Sequence, residues 1–148
     1  MDKRYLAGLV DGEGYLGLIP VYKKESANIT YQCVVKLCLT GLNAEKVIRL
    51  IADNYKGHVF KRKTNTATGK EVFTVEIKSK SRVKTLLDDI QPYMLVKKEQ
   101  AEAMREYIEL PVINPLYGSF TQELFDKRLE IAKRMKSYTQ RIPVATTE

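Results

Sequence analysis

The chain has 148 residues, 44% of them hydrophobic, which is enough for one globular domain with its own core. Its 25 Lys and Arg against 18 Asp and Glu give a formal charge of +7, which favours a polyanionic partner. No apolar run reaches the ~18 residues of a membrane span and no basic-then-apolar leader opens the sequence. We therefore expect an intracellular, unexported protein, in the cytoplasm, the nucleoid or an organelle according to the host.

The sequence begins with a predicted helix followed by two strands. Asp2 can cap a helix over residues 2–10, which Gly12 and Gly14 are expected to end. The strand-like stretches are residues 15–24 and 30–40. Within the second strand the apolar side chains share one face, so the sheet should have a dry side and a wetter, basic side.

The two cysteines lie in this second strand. Cys33 and Cys38 are an odd number of positions apart, so they should point to opposite faces and remain unpaired thiols. His58 is the only histidine and there is no CxxC pair, so a structural zinc site lacks ligands. Any catalytic metal must therefore be held by oxygen atoms.

The rest of the chain repeats the helix-and-hairpin order and ends in helices. The predicted elements are a helix at 43–56, strands at 58–63 and 71–78, and helices at 81–90, 98–109 and 121–137. This order predicts a single α+β domain over residues 1–148, with an antiparallel sheet and helices on one of its faces. The segment 144–148 is expected to be a loose tail.

Residues 6–14 read LAGLVDGEG, and this stretch resembles the signature motif of the LAGLIDADG homing endonucleases. The order of predicted elements after it is also similar to theirs. At the level of residues the resemblance covers only this motif and one short later segment. It implies an αββαββα core whose antiparallel sheet forms a DNA-binding saddle, followed by additional C-terminal helices.

Because the chain has one copy of the motif, the resemblance implies a homodimer whose two motif helices pack about a two-fold axis. We expect Ala7, Gly8 and Gly12 at this interface, since they lack bulky side chains. Gly8 and Gly12 lie one helical turn apart, so two such helices can approach closely. A symmetric dimer favours a pseudo-palindromic DNA site.

Glu13 is the principal candidate for catalysis and for metal binding. The implied dimer brings two copies of Glu13 to the axis, where the carboxylates repel unless cations lie between them. Mg²⁺, or another divalent cation such as Mn²⁺, suits this all-oxygen setting and would activate water for attack on the phosphate. Without the resemblance, a Gly-Glu-Gly turn that ends a helix would explain the residue. For Asp11, capping of a backbone group is an open alternative to catalysis.

Two further catalytic positions follow from the resemblance. The segment PYMLVKKEQA, residues 92–101, is similar to the family segment with an active-site lysine, which matches Lys97, with Lys98 as the alternative. A lysine there could stabilise transition-state charge, and a solvated helix-start charge is the competing explanation. The polar position often held by Gln in the family falls on Thr40, whose hydroxyl could order a water.

Polar side chains on the two predicted hairpins are candidates for contacts with bases or phosphates in the major groove. They are Lys23, Lys24, Asn28, Gln32, Lys36, Lys61, Lys63, Asn65, Lys70, Thr74, Glu76 and Lys78. A solvated strand face is the alternative for any one of them. The basic last helix could add sequence-independent phosphate contacts or be an ordinary exposed helix.

The sequence thus predicts an intron-encoded homing endonuclease that makes double-strand breaks in a long DNA site by metal-dependent phosphodiester hydrolysis. Two alternatives use the same basic sheet without cleavage: an intron maturase that binds RNA, and a DNA-binding protein that has lost its nuclease activity. A purely structural homodimer explains the glycines but not the basic hairpins. The presence of Glu13 and Lys97 favours the enzyme.

Overall fold

A computed structural model of the protein describes residues 1–22, 30–64, 69–111 and 122–139. The helices in these parts of the chain are α1 (Lys3–Glu13), α2 (Ala44–Tyr55), α3 (Lys80–Ile90), α4 (Lys98–Ile108) and α5 (Gln122–Thr139). The strands are β1 (Gly14–Val21), β2 (Thr30–Thr40), β3 (His58–Lys63) and β4 (Glu71–Lys78), and a short 3-10 helix at Gln91–Tyr93 precedes α4. The order of elements is the predicted one.

The first helix is capped as predicted but is longer than predicted. Oδ1 of Asp2 accepts the backbone N–H of Arg4 at 2.8 Å and that of Tyr5 at 3.1 Å. The predicted end at residue 10 is wrong, because α1 continues through Gly12 to Glu13. A glycine costs a helix only about 1 kcal/mol relative to alanine, which the burial of Leu6 and Val10 in the core can offset.

The final glycine of the motif is required by space rather than by backbone conformation. Gly14 has φ −80° and ψ 155°, which any residue can adopt. A Cβ at this position, however, would lie 2.6 Å from the carbonyl oxygen of Val10 and 2.9 Å from its Cα. Gly14 therefore lets β1 leave the end of α1 directly, without a linker.

The four strands form one antiparallel sheet in the order β1-β2-β4-β3. The pairs Gly14↔Leu37, Val35↔Ile77 and Val59↔Val75 fix the register between neighbouring strands. The predicted antiparallel α+β fold is confirmed. The bounds of β2, β3 and β4 are those predicted, whereas β1 ends at Val21, before the predicted end at residue 24.

The five helices and one face of the sheet enclose the hydrophobic core. The strands contribute Leu16, Cys33, Val35, Leu37, Phe73, Val75 and Ile77, and the helix residues of the core include Ile48, Ile51, Leu86, Leu87, Met104, Tyr107 and Ile131. The opposite face, named the open face below, contributes none of its residues to this core. Its central members are Gln32, Val34, Lys36, Cys38 and Thr40 on β2, and Val72, Thr74, Glu76 and Lys78 on β4.

The two cysteines are free and lie on opposite faces of β2, as predicted: Cys33 is buried in the core and Cys38 is exposed on the open face. In the described part of the chain, no helix is long and apolar enough to cross a membrane.

Candidate functional site

The end of α1 and the start of α4 are joined by reciprocal contacts between Asp11 and Lys97, which we name the α1–α4 clamp. The carboxylate of Asp11 accepts the backbone N–H of Leu95 at 2.7 Å and that of Lys97 at 3.0 Å. In return, the ammonium of Lys97 donates to the backbone oxygen of Asp11 at 2.7 Å and to that of Val10 at 3.3 Å. The side chain on α1 thus binds the backbone at the start of α4, and the side chain on α4 binds the backbone at the end of α1.

The clamp places each charge where a helix end favours it. Lys97 is the N-cap residue of α4, and the partial positive charge of a helix N-terminus suits the carboxylate of Asp11. The ammonium of Lys97 lies at the C-terminal end of α1, where carbonyl groups carry partial negative charge. Although partial burial acts to raise it, the backbone N–H donors and nearby Lys97 hold the pKa of Asp11 below its usual value. Of the roles left open for Asp11, backbone capping is confirmed.

Glu13 is the last residue of α1, and its side chain is exposed. It makes no hydrogen bond or ion pair with any residue that the structure describes. The ammonium of Lys97 is held at the carbonyl groups of the same final helical turn. The two principal catalytic candidates therefore share one helix end, whereas Lys98 is exposed in the first turn of α4 and donates no hydrogen bond to α1.

The residues around Glu13 suit a divalent cation only as part of a larger set of ligands. Among the described residues, no three His, Cys, Asp or Glu side chains are grouped so that they could hold a metal ion. Glu13 offers a free carboxylate beside the carbonyl groups of a helix end, and hard cations such as Mg²⁺ prefer oxygen ligands of this kind. A complete ligand set thus requires a second copy of the chain, phosphate oxygens or water.

Thr40 is exposed at the end of β2, opposite Val72 on the open face. Because β1 begins its pairing at Gly14↔Leu37, the later open-face residues Cys38 and Thr40 extend past the start of β1, on the side where α1 ends. Within the described residues Thr40 makes no hydrogen bond to Glu13 or Lys97. Its predicted face is correct, and its catalytic role stays a prediction.

The exposed side of α1 carries two glycines without an internal explanation. A Cβ built on Gly8 or Gly12 would meet no atom of the described residues within 4 Å. Ala7, in contrast, is 0% exposed and belongs to the core. The prediction that Ala7 lies at a dimer interface is therefore wrong: one residue along a helix turns the side chain by about 100°, which points Ala7 towards the sheet.

Large apolar side chains are exposed next to these glycines. Leu95 is 83% exposed and Val96 is 74% exposed, and the clamp holds their backbone against the end of α1. Tyr5 on α1 and Tyr93 before α4 are also exposed. We name the set Tyr5, Gly8, Gly12, Tyr93, Leu95 and Val96 the motif-helix surface. Sequence reasoning missed Leu95 and Val96, although they directly precede the predicted lysine.

The open face has an ion-paired trio at its centre. The ammonium of Lys36 lies 3.0 Å from one carboxylate oxygen of Glu76, and that of Lys78 lies 3.2 Å from the other. The Glu76 side chain is only 11% exposed. Partial burial acts to raise the pKa of Glu76, but the two lysines outweigh it and hold the pKa below its usual value. Both oxygens of Glu76 are thus engaged within the chain.

The two candidate lysines of strand β3 lie on the side of the sheet away from the open face. Its pairing with β4 places Lys61 opposite Phe73 and Lys63 opposite Glu71, on the helix-covered side of the sheet. There the ammonium of Lys61 lies 3.1 Å from a carboxylate oxygen of Glu71 and 5.8 Å from the centre of the Phe73 ring. Lys61 and Lys63 therefore lie outside the open face, and as DNA contacts they stay predictions. The open-face residues of β3 are His58, Phe60 and Arg62.

The remaining predicted DNA contacts divide into two groups. Gln32, Lys36 and Lys78 are at least partly exposed on the open face, Thr74 is half-buried there beside Cys38, and Lys70 is exposed just before β4. Lys23, Lys24, Asn28, Asn65 and the tail 144–148 lie outside the described residues. The five described residues stay predictions as DNA contacts, and their positions are compatible with that role.

The sequence matches no family model and no curated protein. The fold, however, is similar to solved homing endonucleases. The structure of I-CvuI in complex with its target superposes with a TM-score of 0.71 at 16% identity, covering 94% of this chain and 82% of that chain. I-TnaI gives a TM-score of 0.66 at 16% identity, covering 93% of this chain and 95% of that chain.

A third solved structure, the LAGLIDADG homing endonuclease I-GzeII in complex with its DNA target, gives a TM-score of 0.63 at 15% identity. The match covers 92% of this chain but only 44% of I-GzeII. At these identities the likeness establishes the fold. The chain thus has the homing endonuclease fold. It matches nearly the whole length of I-TnaI but less than half the length of I-GzeII.

Proposed function

We propose that the protein is a homing endonuclease of the LAGLIDADG type, which cuts both strands of a long pseudo-palindromic DNA site by metal-dependent phosphodiester hydrolysis. The observation that carries this proposal is the free carboxylate of Glu13 at the same helix end as the anchored ammonium of Lys97. A purely structural protein of this fold would have no use for the Glu13 carboxylate, which contacts none of the described residues, whereas the clamp alone would explain Lys97.

The two residues have distinct roles in the proposed reaction. Glu13 would hold a divalent cation, Mg²⁺ or Mn²⁺, which when bound polarises the scissile phosphate and lowers the pKa of an attacking water. Lys97 uses its ammonium on two carbonyl oxygens, and the three N–H bonds of an ammonium leave one for a phosphate oxygen. Because the clamp fixes its position, Lys97 is preorganised to stabilise charge on the transition state.

We propose a homodimer formed through the motif-helix surface. Glycine within a helix is unfavourable, and no contact with the described residues requires glycine at position 8 or 12, so a close partner helix supplies the missing reason. The exposed Leu95 and Val96 would be covered by the same contact. A single chain that matches less than half of I-GzeII is also compatible with a functional unit of two copies.

The proposed DNA-contacting surface is the open face of the sheet. Lys36 and Lys78 keep N–H donors beyond those used by Glu76, while Gln32 and Arg62 are exposed on the same face. Lysine, arginine and glutamine donate to base edges in the major groove, and the cations also contact phosphates. The formal charge of +7 supports the same partner. A substrate of cellular DNA would place the protein inside the cell.

The test is cleavage of a DNA library that contains randomised and intron-insertion-site sequences, in Mg²⁺ and in EDTA, with the product ends sequenced. We expect paired cuts on the two strands within one pseudo-palindromic site, in Mg²⁺ only. Glu13→Gln should keep dimerisation and DNA binding but abolish cleavage, because it removes the charge and keeps the shape. Glu102→Gln, on the exposed side of α4, is the matched control and should cleave normally.

Two outcomes would contradict the proposal. Selective binding without cuts in Mg²⁺ or Mn²⁺ would replace it with the non-cleaving DNA-binding protein. Full activity of Glu13→Gln in Mg²⁺ would remove Glu13 from the mechanism.

A further inference from the structure

A cleft of about 510 Å³ lies between β1 and the last helix α5. It shares no lining residue with the α1–α4 clamp or with the motif-helix surface. Among the described residues, its walls carry three tyrosines and two lysines and no Asp or Glu. The residues that matter for its chemistry are Tyr15, Tyr22, Tyr31, Lys133, Lys136 and Thr139.

One tyrosine of the cleft has an anchored backbone, and the other two have accessible rings. The hydroxyl of Tyr107 donates to the backbone oxygen of Tyr31 and accepts its N–H, each at 3.1 Å, so the backbone of Tyr31 is held in place. Tyr15 is 45% exposed and Tyr22 is 76% exposed. Gly17 makes room for the first of these rings, since a Cβ there would lie 2.3 Å from the hydroxyl oxygen of Tyr15.

The lysines of the cleft differ from the other exposed cations of α5. The ammonium of Lys127 pairs with Glu123 at 3.7 Å, and Arg134 pairs with Glu106 and Glu130. Lys133 and Lys136 form no ion pair with any residue between 1 and 139 that the structure describes. They lie three positions apart, on one face of α5. The cleft therefore has two positive charges that the described chain does not compensate.

We infer that this cleft binds an unpaired nucleotide of a single-stranded nucleic acid, with the base on a tyrosine ring and the adjoining phosphates at Lys133 and Lys136. Flat aromatic faces combined with cations are the chemistry of single-strand binding, since every base has a face that can stack. A duplex cannot use the tyrosines in this way, because its bases are already paired and stacked. The lining of the cleft includes neither Glu13 nor Lys97, although its Tyr15 pairs opposite Lys36 of the open face. RNA and DNA share the chemistry that the cleft recognises.

Fluorescence anisotropy with labelled oligo(U) and oligo(dT) of about ten nucleotides tests the inference, in parallel with a duplex and with free UMP. Tyr22→Ala should weaken single-strand binding about 5- to 150-fold, the usual range for loss of one base stack, while Tyr22→Phe should bind as the wild type does. The double variant Lys133→Gln/Lys136→Gln should bind more weakly. Each lost phosphate contact should reduce the slope of log K against log salt by about 0.7, so the two together should reduce it by about 1.4. Because the protein has no tryptophan, its intrinsic fluorescence comes from its nine tyrosines, and weaker quenching in Tyr22→Ala than in the wild type would report stacking on this ring.

Lys127→Gln is the matched control, because it removes a charge from α5 outside the cleft and should leave the affinity unchanged. Equal losses in this control and in the cleft variants would reduce the effect to general charge and overturn the inference, as would unchanged affinity in Tyr22→Ala. Complete displacement of the oligonucleotide by excess duplex would assign its binding to the open face instead. The relative affinities for oligo(U) and oligo(dT) then show whether the cleft prefers RNA or DNA. Because duplex binding and cleavage are measured separately, failure here leaves the proposed nuclease function unaffected.

Discussion

Replacement of Asp11 by Asn should destabilise the protein, because it breaks one side of the α1–α4 clamp. The carboxylate accepts two backbone N–H groups, at 2.7 and 3.0 Å. An Asn side chain keeps one oxygen, but its NH₂ group would face the other N–H, donor against donor. A hydrogen bond to a charged group contributes about 1.5–3 kcal/mol, so we expect the free energy of unfolding to fall by about that amount.

The loss can be measured by urea unfolding at fixed protein concentration, at pH 7 and in acid. The folded-state pKa of Asp11 is lowered, so its contribution to stability is present above the unfolded-state value of about 3.9 and is lost as the pH falls through the folded-state pKa. The difference between wild type and Asp11→Asn should therefore be full at pH 7 and shrink below about pH 4.

Asp2→Asn provides the matched control. Asp2 also accepts two backbone N–H groups, but it is an exposed N-cap, where Asn serves nearly as well as Asp. We expect it to cost clearly less than Asp11→Asn. Equal unfolding midpoints for the two variants, or a pH-independent loss in Asp11→Asn, would refute the importance that we assign to the clamp.

Three further predictions concern the sheet, the helix end and the dimer. Glu76→Gln leaves the charges of Lys36 and Lys78 uncompensated, so non-specific duplex binding should tighten. The slope of log K against log salt should become steeper by up to about 1 per protomer. An unchanged slope would place the trio outside the DNA interface. Gly14→Ala should lower the free energy of unfolding by about 1–3 kcal/mol, measured in urea, because the new Cβ would meet backbone at 2.6 Å, and an unaffected midpoint would show that the helix end can relax. Gly12→Leu should preserve the far-ultraviolet circular dichroism but shift sedimentation equilibrium towards monomer, and a dimer that persists would exclude the motif-helix surface as its interface.

Local pattern in the sequence was sufficient to predict most of the fold. The alternation in β2 and β4 predicts both their bounds and their faces, because each strand has a continuous series of apolar side chains at every second position. The stretch HVFKRK of β3 has no such series, since Val59 and Phe60 lie on opposite faces. Only pairing with β4 decides which of its side chains lie on the open face, and this is why Arg62 was missed as a candidate.

The site was predictable where a motif carries it and unpredictable where contacts join distant parts of the chain. Glu13 and Lys97 follow from two short segments, but the hydrogen bonds between Asp11 and Lys97 span 86 positions. Ala7 looked equivalent to Gly8 because both are small, and only the packing of α1 separates a core residue from a surface one. The cleft beside α5 depends on tertiary contact between β1 and a helix more than 100 residues later.

The direct passage from α1 into β1 makes this part of the chain intolerant of insertions and deletions. The helix ends at Glu13 and the strand begins at Gly14. One residue inserted in the second half of the helix would therefore shift the register of both the helix end and the strand. The helix would turn by about 100°, carrying Glu13 away from Lys97, and every side chain of β1 would change sides of the sheet. Homologous sequences should therefore vary by substitution across this joint while keeping its length, and swaps of the motif helix between related chains should succeed only when they preserve the spacing from Asp2 to Gly14.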